Sequence, residues 1–237
     1  MFSMKMRFYT IVQDDNAGVC HKFKMESFRL FCCMYGDFGV FFNYKDKRGV
    51  KMNRCDWCGD NELYVKYHDE EWGVPVHDDR KHFEFLVLES AQAGLNWLTI
   101  LKKRENYRKA YDGFDYMKVA QYDENKIEEL MQDKGIVRNR LKINASINNA
   151  KCFIEIQKEF GSFDNYIWGF TGNKPLVNHW QDISQVPASS SLSDQVSLDL
   201  KKRGFKFLGT IIVYSHLQAT GVINDHITTC FRHGSVL

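Results

Sequence analysis

Cys55 and His68, with twelve residues between them, and His226 and Cys230, a His-x3-Cys pair, are the side chains whose types and spacing point most directly to chemistry. Residues four apart share one helix face and can reach a single ion. Zinc takes four Cys or His ligands tetrahedrally in a closed structural site, and Cys2His2 is a common set. One such ion would tie the first and last segments of a domain together. The residues alone leave alternatives open. Cys58 forms a Cys-x2-Cys with Cys55, itself a zinc spacing, and His77 and His233 are spare ligands. A lone His-x3-Cys also arises by accident.

Glu89 is the second candidate. It follows Phe85-Leu86-Val87-Leu88 and precedes Ala91, Ala93, Gly94 and Leu95. An ionised carboxylate in apolar surroundings costs several kcal/mol (about 3 or more) unless it is paired or hydrogen-bonded, so it is either functional or on an exposed helix stripe. Tyr67, Trp72 and Trp97 flank the same region, and Trp57 and Trp168 are further candidate walls. Aromatic residues in a helical protein are mostly core. Framed around a carboxylate, however, they would suit a flat, positively charged heterocycle through stacking and cation–π attraction.

The elements that must position these residues are helices. Asp78-Asp79 can cap a helix whose Phe83, Leu86, Val87 and Ser90 follow i, i+3, i+4, i+7 spacing, with Gly94 ending it. Asn96 can cap the next, through Trp97, Ile100, Leu101, Tyr107 and Ala110. A third is expected over Asn125–Lys134, and one long helix over Arg138–Phe160. Residues 171–195 form a loop-rich region, and two further helices flank the bend Arg203-Gly204-Phe205-Lys206-Phe207-Leu208-Gly209. The pattern contains no convincing strand set and no repeat.

Composition bounds the class. The chain has 237 residues, 44% hydrophobic and 14% aromatic, with three prolines, which reads as globular rather than disordered. No apolar run approaches the ~20 residues of a membrane span, and the N-terminus lacks the pattern of a secretory signal, so an intracellular, cytoplasmic location is expected. Residues 1–51 carry nine Lys/Arg against five Asp/Glu, which leaves 23 basic and 25 acidic residues after them. Bulk charge therefore gives no argument for nucleic-acid binding. Local clusters would have to serve: Lys102-Lys103-Arg104, Arg138 with Arg140 and Lys142, and Lys201-Lys202-Arg203 with Lys206. Each is by itself an ordinary solvated helix face. Residues 1–51 read as an appendage, with Phe38–Tyr44 as a short strand and Met52 as an alternative start. Seven cysteines at irregular spacing suit free thiols or ligands rather than disulfides.

The stretches Met52-Asn53-Arg54-Cys55, Tyr67-His68-Asp69-Glu70-Glu71-Trp72-Gly73-Val74-Pro75 and Gln92-Ala93-Gly94-Leu95-Asn96-Trp97 together resemble the 3-methyladenine DNA glycosylase I family. So do Leu101–Arg108, Lys201–Gly209 and Asn224-Asp225-His226, in order and across essentially all of 52–237. The resemblance implies an all-α helix-hairpin-helix glycosylase fold over 52–237, with residues 1–51 outside it. It implies one structural zinc held by Cys55, His68, His226 and Cys230, with Cys58 a bystander. Glu89, Tyr67 and Trp97 would form the pocket for a flipped base, with Glu89 the catalytic residue. Gly94 and Leu95 would fill the gap left in the duplex. The hairpin, at Gly204, Lys206 and Gly209, would offer backbone amides to a phosphate.

Two departures from the wider helix-hairpin-helix superfamily bear on mechanism. Ile211 stands where bifunctional members carry a lysine nucleophile, which argues against strand cleavage. Asn224, with Asp225 adjacent, stands where many members carry an aspartate that activates water. His216 occupies a position expected to be apolar. The implied activity is monofunctional hydrolysis of the N-glycosidic bond of 3-methyladenine in double-stranded alkylated DNA, by a monomer with no protein or membrane partner. Its rivals are a glycosylase with shifted N3-alkylpurine specificity, a non-catalytic DNA-binding domain, and a zinc hydrolase unrelated to DNA.

Overall fold

In the computed structural model, which describes residues 52–235, short polar side chains start most of the helices. Asn61 accepts from the Leu63 and Tyr64 amides to open α1 (Glu62–Glu70). Asp78 accepts from Lys81 to open α2 (Asp79–Gln92), and Asn96 accepts from Thr99 to open α3 (Trp97–Ala110). Asp115, Asp123, Asn139 and Ser162 do the same for α4 (Tyr116–Val119), α5 (Glu124–Gln132), α6 (Arg140–Phe160) and α7 (Phe163–Gly169). After the two-residue strand β1 (Leu176–Val177), Ser190 caps α8 (Ser191–Lys202). Each such cap stabilises its helix by about 1 kcal/mol. The exception is α9 (Thr210–Ala219), whose N-cap Gly209 has no side chain to offer. Strand β2 (Ile223–Asn224) follows.

Three expectations shift. The helix expected over 125–134 begins and ends earlier, because Asp123 takes the cap, and the long helix starts at Arg140 behind Asn139. The strands, absent from the sequence pattern, pair in parallel with Leu176 opposite Ile223 and Val177 opposite Asn224, too short to produce any alternation. Residues 1–51, with the strand expected at 38–44, lie outside the described residues.

Helix α2 is the centre of the molecule. Every residue from His82 to Gln92 is buried, not one stripe, because α3, α6, α7 and α9 surround it. Phe83 meets Phe153 of α6 edge-on at 5.5 Å between centroids, and Phe153 stacks on Phe163 of α7 at 4.3 Å. At its N-terminus, Asp79 accepts from the Phe163 and Asp164 amides and from Gln157, which locks α2, α6 and α7 together. Among the described residues no helix is long and apolar enough to cross a membrane.

Candidate metal centre and buried pocket

Cys55, His68, His226 and Cys230 converge, all buried, with their ligand atoms within 4.8 Å of one another. Cys230 Sγ lies 3.5 Å from His68 Nε2 and 3.5 Å from His226 Nδ1, and Cys55 Sγ lies 3.6 Å from His226 Nδ1. A tetrahedral ion with bonds of about 2.3 Å to sulfur and 2.05 Å to nitrogen requires neighbouring S and N about 3.6 Å apart. The distances match.

The tautomers match as well. His226 Nε2 sits 3.1 Å from the Trp72 carbonyl, which can only accept, so the proton is on Nε2 and the Nδ1 lone pair faces the sulfurs. His68 Nδ1 donates to Asp69 at 2.8 Å, and the Cys55 amide donates to Nε2 at 3.3 Å, so Nε2 carries the lone pair. Asp69 is in turn held by the Arg54 fork at 2.7–3.0 Å, the outer-shell arrangement that orients a ligand histidine. Gly73 makes room: a Cβ there would come 2.9 Å from His226 Nε2. Cys58 lies outside the group, its thiol against the Gly59 carbonyl. His77 pairs with Asp164, and His233 donates to the Asn178 carbonyl.

Beside this centre, Tyr67 at the end of α1 and Trp97 at the start of α3 face one another at 5.5 Å, tilted by 57°. Trp57 packs edge-on against both Tyr67 and His68, so the Tyr67 ring and the Cys/His cluster share a support. Trp72 stacks on His68 and meets His226 edge-on, and Trp168 donates to the Val76 carbonyl.

Glu89 is 2% exposed, which removes the reading of an exposed stripe. Burial pushes its carboxyl well above the usual range. The Tyr67 hydroxyl is also pushed up, first by burial and then by the neighbouring Glu89 charge. Glu89 Oε2 meets His216 Nδ1 at 2.9 Å, while Oε1 and Trp97 Nε1 are buried without a partner. Buried polar atoms almost always have partners, so an unpaired acceptor on Glu89 and an unpaired donor on the Trp97 ring mark a prepared binding surface. A planar molecule with an amino group suits it.

Sequence reasoning missed several residues here. His216 stood out only as a histidine where an apolar residue was expected. Lys142, read as a DNA-contact candidate, instead donates to the carbonyls of Ala91 and Ala93 at 2.8 and 2.6 Å, tying down the C-terminus of α2. The loop it anchors leaves Gly94 and Leu95 exposed, Leu95 at 43%.

Other basic candidates are also engaged. Arg104 pairs with Glu71 and Glu84, Arg140 with Glu124 and Glu128, and Arg203 with Asp199 and Glu159. Lys103 donates to the Lys134 and Gly135 carbonyls. The bend between α8 and α9 is held by two asparagines of α6: Asn148 donates to Gly204 O, and Asn149 exchanges bonds with the backbone of Lys206 at 2.8 and 2.9 Å. The amides of Gly204 and Lys206 are thereby consumed within the protein, Gly204 N by Lys201 O. The uncapped N-terminus of α9 at Gly209 has the remaining amides, with Lys206, Phe207 and Gly209 exposed around it.

Asn224 and Asp225 are engaged within the protein. Asn224 accepts from the His226 amide and donates to His233 O. Asp225 accepts from Asn178, Trp180, Tyr214 and Gln218, leaving no oxygen free for water. Ile211, half-buried in the first turn of α9, has no amine to attack a sugar.

The helical domain thus carries a buried carboxyl, a facing pair of aromatic rings and a four-residue Cys/His cluster. Residues 57–233 match the methyladenine glycosylase family model. The DNA-3-methyladenine glycosylase 1 of Escherichia coli K12 is 48% identical over 179 residues, covering 76% of this chain and 96% of that one. The DNA-3-methyladenine glycosylase of Haemophilus influenzae is 42% identical over 177 residues, covering 75% and 96%. A solved structure of 3-methyladenine DNA glycosylase I from Staphylococcus aureus, concerned with 3-methyladenine recognition, superposes with a TM-score of 0.74 at 38% identity, covering 77% of this chain and 97% of that one. The chain belongs to the methyladenine glycosylase family.

Proposed function

We propose that this protein is a monofunctional glycosylase of base-excision repair that removes 3-methyladenine from double-stranded alkylated DNA. The observation that carries the reading is the buried Glu89 carboxyl, with Oε1 unpaired beside Tyr67 and Trp97, in a chain of this family. N3-methylation leaves a positive charge on the nucleotide, so its glycosidic bond is already weakened and no strong acid is needed at the leaving group. The enzyme must extrude the nucleotide, which costs a few kcal/mol (about 2–4), less for a damaged pair. Trp97 then stacks on the base, Tyr67 closes over it, and Glu89 Oε1 accepts from the exocyclic amine. Water adds to the anomeric carbon and the base departs neutral.

The DNA surface follows from the same reading. Leu95 and Gly94 enter the gap left in the duplex. The α8–α9 pair acts as the helix-hairpin-helix, with the amides at Gly209 and beyond meeting a phosphate and Lys206 beside them. Arg203–Gly204 shape that turn. With Ile211 in place of an amine, release leaves an intact strand. Zinc is held by Cys55, His68, His226 and Cys230, and four protein ligands leave it no position for substrate. Residues 52–237 form the working unit, so a chain beginning at Met52 is expected to retain activity.

The test is base release from methylated duplex DNA by the wild type and Glu89→Gln. The wild type should release 3-methyladenine without strand scission. The variant should be slower by about ten- to hundredfold, the equivalent of one charge-assisted hydrogen bond. Equal rates would remove Glu89 from the reaction, and no release by the wild type would leave the binding-module reading.

A further inference from the structure

A file of polar groups leads from the pocket carboxyl through two buried histidines towards the surface, hydrogen-bonded as far as His82. Glu89 Oε2 meets His216 Nδ1 at 2.9 Å, and His216 Nε2 meets His82 Nδ1 at 3.3 Å. His82 Nε2 lies 3.1 Å from the Val76 carbonyl and 3.6 Å from Asp164 Oδ1. Asp164 Oδ1 is 3.0 Å from Nδ1 of His77, whose side chain is 62% exposed. Both interior histidines are buried.

The direction of these bonds fixes the proton count. A carbonyl oxygen only accepts, so His82 Nε2 carries hydrogen. If His82 is neutral, its Nδ1 is bare and must accept from His216 Nε2–H. If His216 is neutral too, its Nδ1 is bare, and the Glu89 carboxyl must be protonated and donate to it. Ionising Glu89 without breaking the file moves that same proton to His216 Nδ1, making an imidazolium. One further transfer, from His216 Nε2 to His82 Nδ1, places the charge on His82, facing Asp164. All three arrangements hold the same number of protons.

We propose that His216 and His82 form a proton relay joining the pocket carboxyl of Glu89 to Asp164 and His77 at the surface. The proposal rests on the glycosylase reading for its use, though not for its existence. At rest the pocket is uncharged, with Glu89 protonated. A cationic base entering it draws the proton off Glu89 and out along the file, so cation and carboxylate meet as a pair. Hydrolysis of the cationic nucleotide by water gives a neutral base, a sugar hydroxyl and one proton. When the base departs neutral, the proton held on His82 opposite Asp164 returns along the file to Glu89, which keeps hydrogen on His82 Nε2 throughout. The proton of hydrolysis leaves with water, so each turnover resets the file and releases one proton.

The surroundings suit a relay. Burial pushes His216 down to about 3 and lowers His82, while Asp164 is lowered by its bonds to His82 and His77. The charged and titratable groups around the file are Tyr67 from α1, Asp79 on α2 itself, Asp164 from α7, and His216 from α9. Lys142 of α6 and Arg104 of α3 are committed to the Ala91 and Ala93 carbonyls and to Glu71 and Glu84. His216 and His82 are positioning residues, since they act through Glu89.

Two measurements test this. Nitrogen-15 NMR of the full-length wild type should find both His82 and His216 protonated on Nε2 with bare Nδ1 at neutral pH. Protonation of either on Nδ1 in the neutral ring would overturn the file. Second, single-turnover release of 3-methyladenine should be followed against pH for the wild type, His216→Phe and His82→Leu. The variants should be slowed by about tenfold or more, in the range of a lost proton-transfer step, and should lose an ionisation present in the wild-type profile. A profile of unchanged shape in a folded His82→Leu, whatever its absolute rate, would reduce these histidines to packing. If the wild type releases no base at any pH, the glycosylase reading fails, while the NMR result still decides the file.

Discussion

At the scale of the residue, the most consequential feature is a carboxyl kept in the protein interior with one oxygen unpaired. In the unfolded chain Glu89 ionises near pH 4.3, whereas in the folded chain burial holds it protonated to higher pH. Above the lower value the folded state binds more protons than the unfolded state, so this group's contribution to stability falls as pH rises through the window between them. Glu89→Gln keeps the shape and can donate to the bare His216 Nδ1. Its melting temperature is expected to exceed that of the wild type by a margin that grows from about pH 4.3 upward. A margin independent of pH in thermal melts would show that the carboxyl is already ionised. His216 acts in the opposite sense: with its pKa lowered to about 3, it favours folding above the ordinary histidine value near 6.5 and loses that advantage as pH falls. His216→Phe should therefore flatten the acid side of the stability curve.

Asp225 illustrates a carboxylate fully satisfied within the protein. Four donors from two parts of the chain, the segment after β1 and helix α9, converge on its two oxygens. Asp225→Asn replaces one acceptor by a donor and leaves at least one buried partner unpaired, a loss of about 1–3 kcal/mol. For a domain of this size that corresponds to a fall of very roughly 2–12 °C in Tm. A calorimetric melt would measure it, and an unchanged Tm together with lost base release would instead point to a chemical role for Asp225.

Elements were legible where their causes are local. Asp78 and Asn96 announce helix starts because a cap acts on amides two or three residues away. The ligand pairs were legible as types and spacings, and the 203–209 bend as a glycine-bounded turn. What stayed hidden depends on adjacency between distant segments. Nothing in the string places Lys142 on the carbonyls of α2, or Asn148 and Asn149 on the bend, or His82 beside His216, 134 positions away. Helix α2 misled for a related reason: periodicity assumes one wet face, and from His82 to Gln92 this helix has none.

The hairpin yields a prediction at this scale. Asn149 supplies both halves of a two-bond clamp on the Lys206 peptide unit. Asn149→Ala should loosen the turn that presents the α9 N-terminus. Duplex affinity is expected to fall about five- to tenfold, from roughly 1–1.5 kcal/mol of lost hydrogen bonding, with the single-turnover rate on saturating DNA little changed. Fluorescence anisotropy against salt would check it. An unaltered affinity would remove the hairpin from the DNA surface.

At the scale of the whole molecule, the four-ligand centre joins residues that open the described chain to residues that close it. The ends are otherwise tied only by scattered contacts, among them Phe231 N to Asn53 O and the Arg54 guanidinium over the Phe231 ring. Without an ion, two buried thiols and two bare imidazole nitrogens within 4.8 Å would have only weak S–H···N bonds to join them. With zinc, the same atoms become a cross-link whose binding energy is also folding energy. Trp57 then transmits the centre's position to Tyr67, so that a lost ion would loosen the pocket wall without touching the substrate. The full chain is therefore expected to carry about one zinc per molecule by mass spectrometry of the metal. Stripping it, or Cys230→Ser, should lower Tm by several degrees (roughly 6–12 °C for a loss of about 3 kcal/mol). Base release measured well below the new Tm should persist with a raised KM and a kcat within about threefold of the wild type, because the pocket is loosened but the Glu89 chemistry is intact. Activity abolished with the fold and Tm unchanged would be the opposite result, and it would move the ion from scaffold to catalyst.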